Sequence, residues 1–257
     1  METLSRDKLM DGHLPDEPPG GRARRSVAGV LALRPPMAPN AVALGGGVAG
    51  PRRDGGGPYA DEILIDDRLV PRDLRGRIAE LIKQPIWQYG WQSSGRRDRF
   101  CFWHVHFAGG DGRSRRNCEA ELILRLQFAP IIHLWQLLKA GPLAGHVPLR
   151  AYANAHTFGV EGYVHTDSTD EENYFTTIYY AHPVWHQNWA GETVFYARDQ
   201  SDIIGSAYPK PGRVVMFRGA VPHCARPPSR DCAELRVTVV IKTMLAASAR
   251  DVGIPPP

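Results

Sequence analysis

The sequence predicts an α+β protein that is mainly β, because helical patterns come first and a run of short strands follows. Apolar residues repeat with helical spacing between Pro71 and Pro85 and again over about 119–140. After residue 145, short segments rich in β-branched and aromatic residues alternate with turns. The strand-rich part is therefore expected to form a sandwich or a barrel.

Before residue 145 the pattern predicts one short strand, over 62–65, and two helices. The first helix is expected to begin near Pro71 and to end before Pro85, with an apolar face made of Leu74, Ile78, Leu81 and Ile82. The second covers about 119–140 and is expected to break or kink at Pro130. The strands expected after it are 148–153, 160–166, 174–181, 192–197, 213–218 and 234–244.

Composition divides the chain near residue 58. The first 57 of the 257 residues contain 11 of the 26 glycines and 7 of the 22 prolines, so residues 1–57 are predicted to be a disordered tail and 58–257 a single domain. The net charge is only +4, which argues against a nucleic-acid partner, and no apolar run is long enough to span a membrane. Four cysteines without a CxxC pair predict reduced thiols and a cytoplasmic location.

Residues 163–167, Tyr-Val-His-Thr-Asp, contain the first chemical signal. On a strand, His165 and Asp167 point to the same side, so that both can bind one ion. A second imidazole, His223, follows 56 residues after Asp167, just beyond the expected strand 213–218. Two histidines and one carboxylate form the facial triad of non-haem Fe(II) oxygenases, which leaves three metal positions open.

A second signal is the pair Arg236 and Thr238, which share one face of the expected strand 234–244 and suit a carboxylate ligand. The HxD motif, the distal histidine and this R-x-T together resemble the 2-oxoglutarate and Fe(II)-dependent dioxygenases. Residues 189–196 (WAGETVFY) and 209–217 (PKPGRVVMF) are similar to the prolyl-4-hydroxylase-like branch of that superfamily. The resemblance covers about residues 149–244.

This resemblance implies a double-stranded β-helix, or jelly roll, with the iron between two sheets and the helices against the outer side. It implies that Fe(II) is bound by His165, Asp167 and His223. O2 and 2-oxoglutarate would be the cosubstrates, succinate and CO2 the products, and hydroxylation of a C–H bond the usual outcome. A carboxylate at position 167 argues against the related halogenases, which keep a small residue there.

The resemblance also assigns the cosubstrate pocket. Arg236 would pair with the distal carboxylate of 2-oxoglutarate, assisted by Thr238, and Tyr180 would hydrogen-bond the same carboxylate. Tyr152 is a further candidate for this pocket. Arg230 competes with Arg236, but it lies in a proline-rich turn.

Other histidines are expected to play lesser parts. The pair His104 and His106 lacks a carboxylate at metal-ligand spacing and is interpreted as core or substrate-pocket histidines. His182 and His186 flank Pro183, which favours a loop over a zinc site.

The expected substrate is a small or amino-acid-like molecule, with natural-product tailoring as a setting. The alternatives are peptidyl hydroxylation of a protein partner and a non-catalytic β-helix that only binds ligands. Nucleic-acid demethylation is disfavoured, because the demethylase branch has a second arginine where this chain has Lys242. The sequence leaves the oligomeric state open.

Overall fold

The computed structural model describes residues 63–93, 98–110 and 115–251. The predicted tail, residues 1–57, lies outside the described residues. Within them the strands are β1 (Leu64–Asp66), β2 (Gln88–Trp91), β3 (Phe102–Gly109), β4 (His146–His156), β5 (Tyr174–Tyr180), β6 (Thr193–Tyr196), β7 (Ile203–Ala207), β8 (Val214–Arg218), β9 (His223–Ala225) and β10 (Arg236–Leu245). The helices are α1 (Arg72–Ile82), α2 (Glu119–Leu124), α3 (Ala129–Ala140) and α4 (Ala246–Asp251).

The strands form two antiparallel sheets. The larger has the order β1-β8-β5-β10-β4-β3-β2, and the smaller has the order β7-β6-β9. Residues from both sheets line one pocket, among them Thr176 of β5 and Thr193 of β6. The predicted class, mainly β with a jelly-roll core, is confirmed.

Alternation along β10 explains how the larger sheet is built. Val237, Val239 and Ile241 belong to the main apolar core, together with residues of α1 and α3. The residues between them, Arg236, Thr238, Val240 and Lys242, line the pocket on the opposite face. Because side chains alternate across a strand, one strand contributes both to the core beneath the helices and to the pocket.

Strand β4 follows the same rule with small residues on the helix side. Ala151, Ala153 and Ala155 are fully buried in the core that includes the helices. A methyl side chain at each position lets a helix pack close to the sheet. Helices α1, α2 and α3, which precede the β-rich part of the chain, lie on the outer face of the larger sheet, as expected.

The predicted limits of the first helix are confirmed, because α1 begins directly after Pro71 and ends at Ile82, before Pro85. The predicted break of the second helix at Pro130 is wrong. A 3-10 turn at Leu126–Phe128 separates α2 from α3, and Pro130 lies in the first turn of α3. Proline is tolerated there because the first helical N–H groups have no partner within the helix.

The expected strand 160–166 is also wrong. Residues 157–170 run as a loop, and only His165 makes a bridge, opposite His223. The expectation that neighbouring strand positions align His165 and Asp167 therefore does not hold. None of the described helices has the length and apolar character needed to cross a bilayer.

Candidate active site

The loop of residues 157–170 is fastened to β9 and to the turn before it by backbone hydrogen bonds. His165 and His223 each donate their backbone N–H to the other's carbonyl, at 3.0 and 2.9 Å. The backbone N–H of Asp167 donates to the carbonyl of Gly219 at 2.7 Å. These contacts bring both imidazoles and the carboxylate together without a regular strand.

The three side chains form a compact ligand cluster. One ligand atom from each of His165, Asp167 and His223 lies within 4.8 Å of the others, and this is the one such cluster among the described residues. His165 Nε2 lies 3.6 Å from Asp167 Oδ1, and His223 Nε2 lies 3.5 Å from Asp167 Oδ2. These separations suit three donors of one metal ion.

Local hydrogen bonds orient both rings for that purpose. His165 Nδ1 lies 2.8 Å from the carbonyl of Tyr163, and His223 Nδ1 lies 2.9 Å from the carbonyl of Val221. A carbonyl only accepts, so each Nδ1 carries the proton and each Nε2 keeps a lone pair that faces Asp167. Burial lowers the pKa of His223 to about 3, against the attraction of Asp167, so the imidazole stays neutral as a ligand must.

Asp167 is held in its ionised form. Burial by itself would raise the pKa of the Asp167 carboxyl, but the Lys242 ammonium outweighs burial and keeps it below its usual range. Thr176 Oγ1 donates to Asp167 Oδ2 at 2.6 Å, and Lys242 Nζ donates to the same oxygen. Lys242 Nζ also lies 3.2 Å from Thr176 Oγ1.

Arg236 is a buried cation in the same pocket. Its side chain is fully enclosed, with the residue 1% exposed. Nε donates to the carbonyl of Gly191 and Nη2 donates to Thr193 Oγ1 at 2.9 Å. Among the described residues no carboxylate pairs with it. A buried guanidinium with only neutral partners fits an anionic ligand, and the carboxylate of 2-oxoglutarate satisfies that requirement.

The other predicted pocket residues fall in two groups. Tyr152 and Thr238 line the pocket. The Tyr180 hydroxyl lies 2.6 Å from Thr193 Oγ1 and donates to the carbonyl of Ala207 at 3.2 Å, while its ring lies 5.4 Å from the Arg236 guanidinium. Tyr180 therefore contacts two residues that line the pocket, Thr193 and Arg236, and does not line the pocket itself. Arg230 is exposed over the ring of Phe158, away from these groups.

Sequence reasoning missed Asn154 and His156, which follow Tyr152 on the same face of β4 and line the pocket. Their alternation with three buried alanines was the signal that could have found them. His156 Nδ1 is buried without a hydrogen-bond partner in the described structure. Burial, with the nearby Arg236 charge, lowers the pKa of His156 to about 3.

The remaining expectations about histidines hold in part. His182 and His186 lie in the predicted loop. His182 donates from Nε2 to the carbonyl of Pro209 at 2.7 Å and accepts at Nδ1 from the backbone N–H of Val237 at 3.2 Å, as a structural histidine does. His104 and His106 lie beside the pocket, close to Tyr152 and Asn154, and contribute no metal ligand.

Comparison with known proteins decides the family. Residues 151–241 match the family model described as the 2OG-Fe(II) oxygenase superfamily. This part of the chain belongs to that superfamily. The matched range contains His165, Asp167, His223 and Arg236, so the predicted superfamily is confirmed. The predicted enzyme class, an Fe(II)- and 2-oxoglutarate-dependent dioxygenase, is confirmed with it, as are the predicted cofactors.

Several solved structures are similar to this oxygenase. One is a prolyl hydroxylase of Trichoplax adhaerens in complex with a peptide fragment of hypoxia inducible factor, with 17% identity, a TM-score of 0.49, and 76% of this chain and 88% of that chain covered. A prolyl-4-hydroxylase of Pseudomonas putida has 16% identity, a TM-score of 0.47, and coverages of 73% and 93%. HygX of Streptomyces hygroscopicus, solved with nickel and 2-oxoglutarate, has 10% identity, a TM-score of 0.48, and coverages of 72% and 83%. No curated protein is significantly similar in sequence.

Proposed function

We propose that this oxygenase hydroxylates a C–H bond of a small, amino-acid-like substrate, and that His165, Asp167 and His223 bind its Fe(II). The observation that carries the proposal is that His165 and His223, clustered with Asp167, line one pocket together with the unpaired buried cation Arg236. When bound, iron and 2-oxoglutarate supply the oxidising chemistry, and the products beside the oxidised substrate are succinate and CO2.

The protein's own residues bind and orient. The Nδ1–H groups of His165 and His223 donate to backbone carbonyls, so neither ring can turn its lone pair away from the metal. Thr176 and Lys242 hold one carboxylate oxygen of Asp167. Arg236 would receive the distal carboxylate of 2-oxoglutarate, with Thr193 and Tyr180 fixing the guanidinium from behind.

The pocket's composition supports a compact polar substrate. Tyr152, Asn154 and His156 project from β4 into it, and Thr238 faces them from β10. Small-molecule pockets fix orientation with a few placed polar groups of this kind. The four cysteines are free thiols, which supports the proposed cytoplasmic location.

The first experiment is an anaerobic titration of the protein with Fe(II) and 2-oxoglutarate, followed by the visible charge-transfer band of the chelate. We expect a band in the wild type and none in His223→Ala. In Arg236→Ala we expect a need for roughly 10- to 100-fold more 2-oxoglutarate, the cost of losing a charged hydrogen-bond partner.

Matched controls keep the titration specific. His133→Ala and Arg77→Ala remove an imidazole and a guanidinium from exposed sites on α3 and α1, and both variants should give the wild-type band. Absence of a band in the wild type at saturating 2-oxoglutarate would leave a non-catalytic β-helix as the better account. Succinate release that is stimulated by peptides and not by free amino acids would favour the peptidyl alternative.

A further inference from the structure

A second cationic site lies at the other end of β10 from Arg236. Arg150 of β4 is placed between two aromatic rings, with its guanidinium carbon 4.7 Å from the Trp91 ring centre and 4.4 Å from that of Tyr152. Tyr152 also lines the pocket, so one face of its ring meets Arg150 while the residue borders the metal site. Aromatic faces attract a cation and hold a planar guanidinium in a fixed orientation.

Arg150 has no anionic partner in the described part of the chain. It makes no ion pair there, and its Nε is buried without a hydrogen-bond acceptor. The neighbouring polar groups on β3 are His104 and His106, whose pKa values are lowered by burial and then by the Arg150 charge, that of His104 to about 4. An imidazole is either neutral or cationic, so neither histidine can offset the positive charge of Arg150.

The sheet register places a second cation directly opposite. Arg150 of β4 pairs with Lys242 of β10. Like charges directly opposite each other on one face of a sheet destabilise it. Lys242 is compensated by Asp167, but Asp167 is also the carboxylate of the metal cluster. Within the described residues Asp167 is the one carboxylate that pairs with either cation, and Arg150 has none of its own.

This site is distinct from the one assigned to 2-oxoglutarate. Arg236 pairs with His156, and Lys242 lies six residues further along β10. At about 3.3 Å per residue the two positions are separated by roughly 20 Å of strand. Arg236 and Lys242 therefore lie at different ends of the pocket. Lys242 contacts the metal cluster through its ion pair with Asp167.

We infer that Arg150 and Lys242 bind a carboxylate of the substrate, which makes the substrate class a free carboxylic acid of amino-acid type. The inference rests on the proposed function, because it uses the same pocket and the same metal cluster. Trp91 and Tyr152 would hold the Arg150 guanidinium so that its donors face the carboxylate, and Lys242 would supply a second charge.

The test measures binding rather than turnover. The protein is loaded with Zn(II) and 2-oxoglutarate, and the twenty free L-amino acids are titrated by calorimetry, followed by the carboxamide of each one that binds. We expect at least one acid to bind, and its affinity to fall roughly 10- to 100-fold in Arg150→Gln, as for loss of a charge-assisted hydrogen bond. The matching carboxamide should bind weakly and equally to wild type and variant. Arg77→Gln, an exposed arginine on α1, should bind the acid as the wild type does.

The outcomes separate the two proposals. Failure of the wild type to bind 2-oxoglutarate would overturn the proposed function itself. Normal 2-oxoglutarate binding with no amino acid bound, or with acids and carboxamides bound equally, would overturn this inference alone. Unchanged acid binding in Arg150→Gln would do the same.

Discussion

At the scale of single residues, the proposed metal cluster depends on a hydroxyl that is not one of its ligands. Thr176 Oγ1 donates to Asp167 Oδ2 at 2.6 Å, which fixes the plane of the carboxylate before an ion arrives. Its neighbour Thr177 is equally buried on the other face of β5, and its hydroxyl has no hydrogen-bond partner in the described structure. The two threonines form a matched pair for separating orientation of Asp167 from general packing.

Thr176→Val should weaken Fe(II) binding about 10- to 100-fold, which is the usual cost of losing a group that orients a metal ligand. Thr177→Val should leave Fe(II) affinity unchanged and should raise the free energy of unfolding by about 1 kcal/mol, because it removes a buried hydroxyl that lacks a partner. Anaerobic metal titration and denaturant unfolding of both variants measure these effects. Equal loss of Fe(II) affinity in the two variants would show that Thr176 acts only through packing.

Some residues of the site could be predicted from the sequence, and others could not. His165, Asp167, His223 and Arg236 could be predicted because their order and spacing form one pattern. The pairing of Arg150 with Lys242 could not, because it depends on the register of two strands more than 90 residues apart in sequence. The register of the two strands is fixed by packing and hydrogen bonding across the sheet, so it cannot be predicted from the local pattern of a single sequence.

At the scale of elements, the best-predicted strands are those with alternation or a continuous apolar run, such as β4, β5 and β10. Strands β2 and β3 escaped prediction, since their aromatic cluster was interpreted as core packing without an assigned conformation. The loop of residues 157–170 was wrongly predicted to contain a strand. Its geometry comes from hydrogen bonds to β9 and to Gly219, which are tertiary contacts that local pattern does not reveal.

Alanine substitutions at two glycines, Gly76 and Gly109, are expected to change the free energy of unfolding in opposite directions. Gly76 lies in the middle of α1, and a Cβ there would meet no atom within 4 Å. Gly109 ends β3 with φ +92°, and a Cβ there would collide with the backbone of Leu149 and Arg150. Gly76→Ala should therefore raise the free energy of unfolding by about 0.5–1 kcal/mol.

Gly109→Ala should lower the free energy of unfolding by more than about 1 kcal/mol, because alanine is strained at this φ and has no space. Urea unfolding of the two variants in parallel provides the measurement. Stabilisation by Gly109→Ala would contradict the close approach of β3 to β4 at the end where Arg150 lies.

At the scale of the whole molecule, several histidines are buried in a neutral state on both sides of the larger sheet. Burial lowers the pKa of His182 to about 4, although its hydrogen bonds to Pro209 and Val237 oppose the change, and burial also lowers that of His146 to about 4. In the unfolded chain the same groups titrate near 6.5. Between these pH values the unfolded state binds protons that the folded state does not, so stability rises with pH.

The stability contributed by these neutral histidines is thus complete above about pH 6.5 and is lost as the pH falls towards 4. The free energy of unfolding of the metal-free protein should fall by up to about 1.4 kcal/mol per pH unit for each such histidine. In His182→Gln the unfolded state should bind about one proton fewer relative to the folded state, because glutamine does not titrate, so the dependence of stability on pH should be weaker. Denaturant unfolding at half-unit steps from pH 4.5 to 7.5 measures the slope. A His182→Gln slope equal to that of the wild type would mean that His182 is protonated in the folded protein, and its acceptance of a hydrogen bond from Val237 would then be wrong.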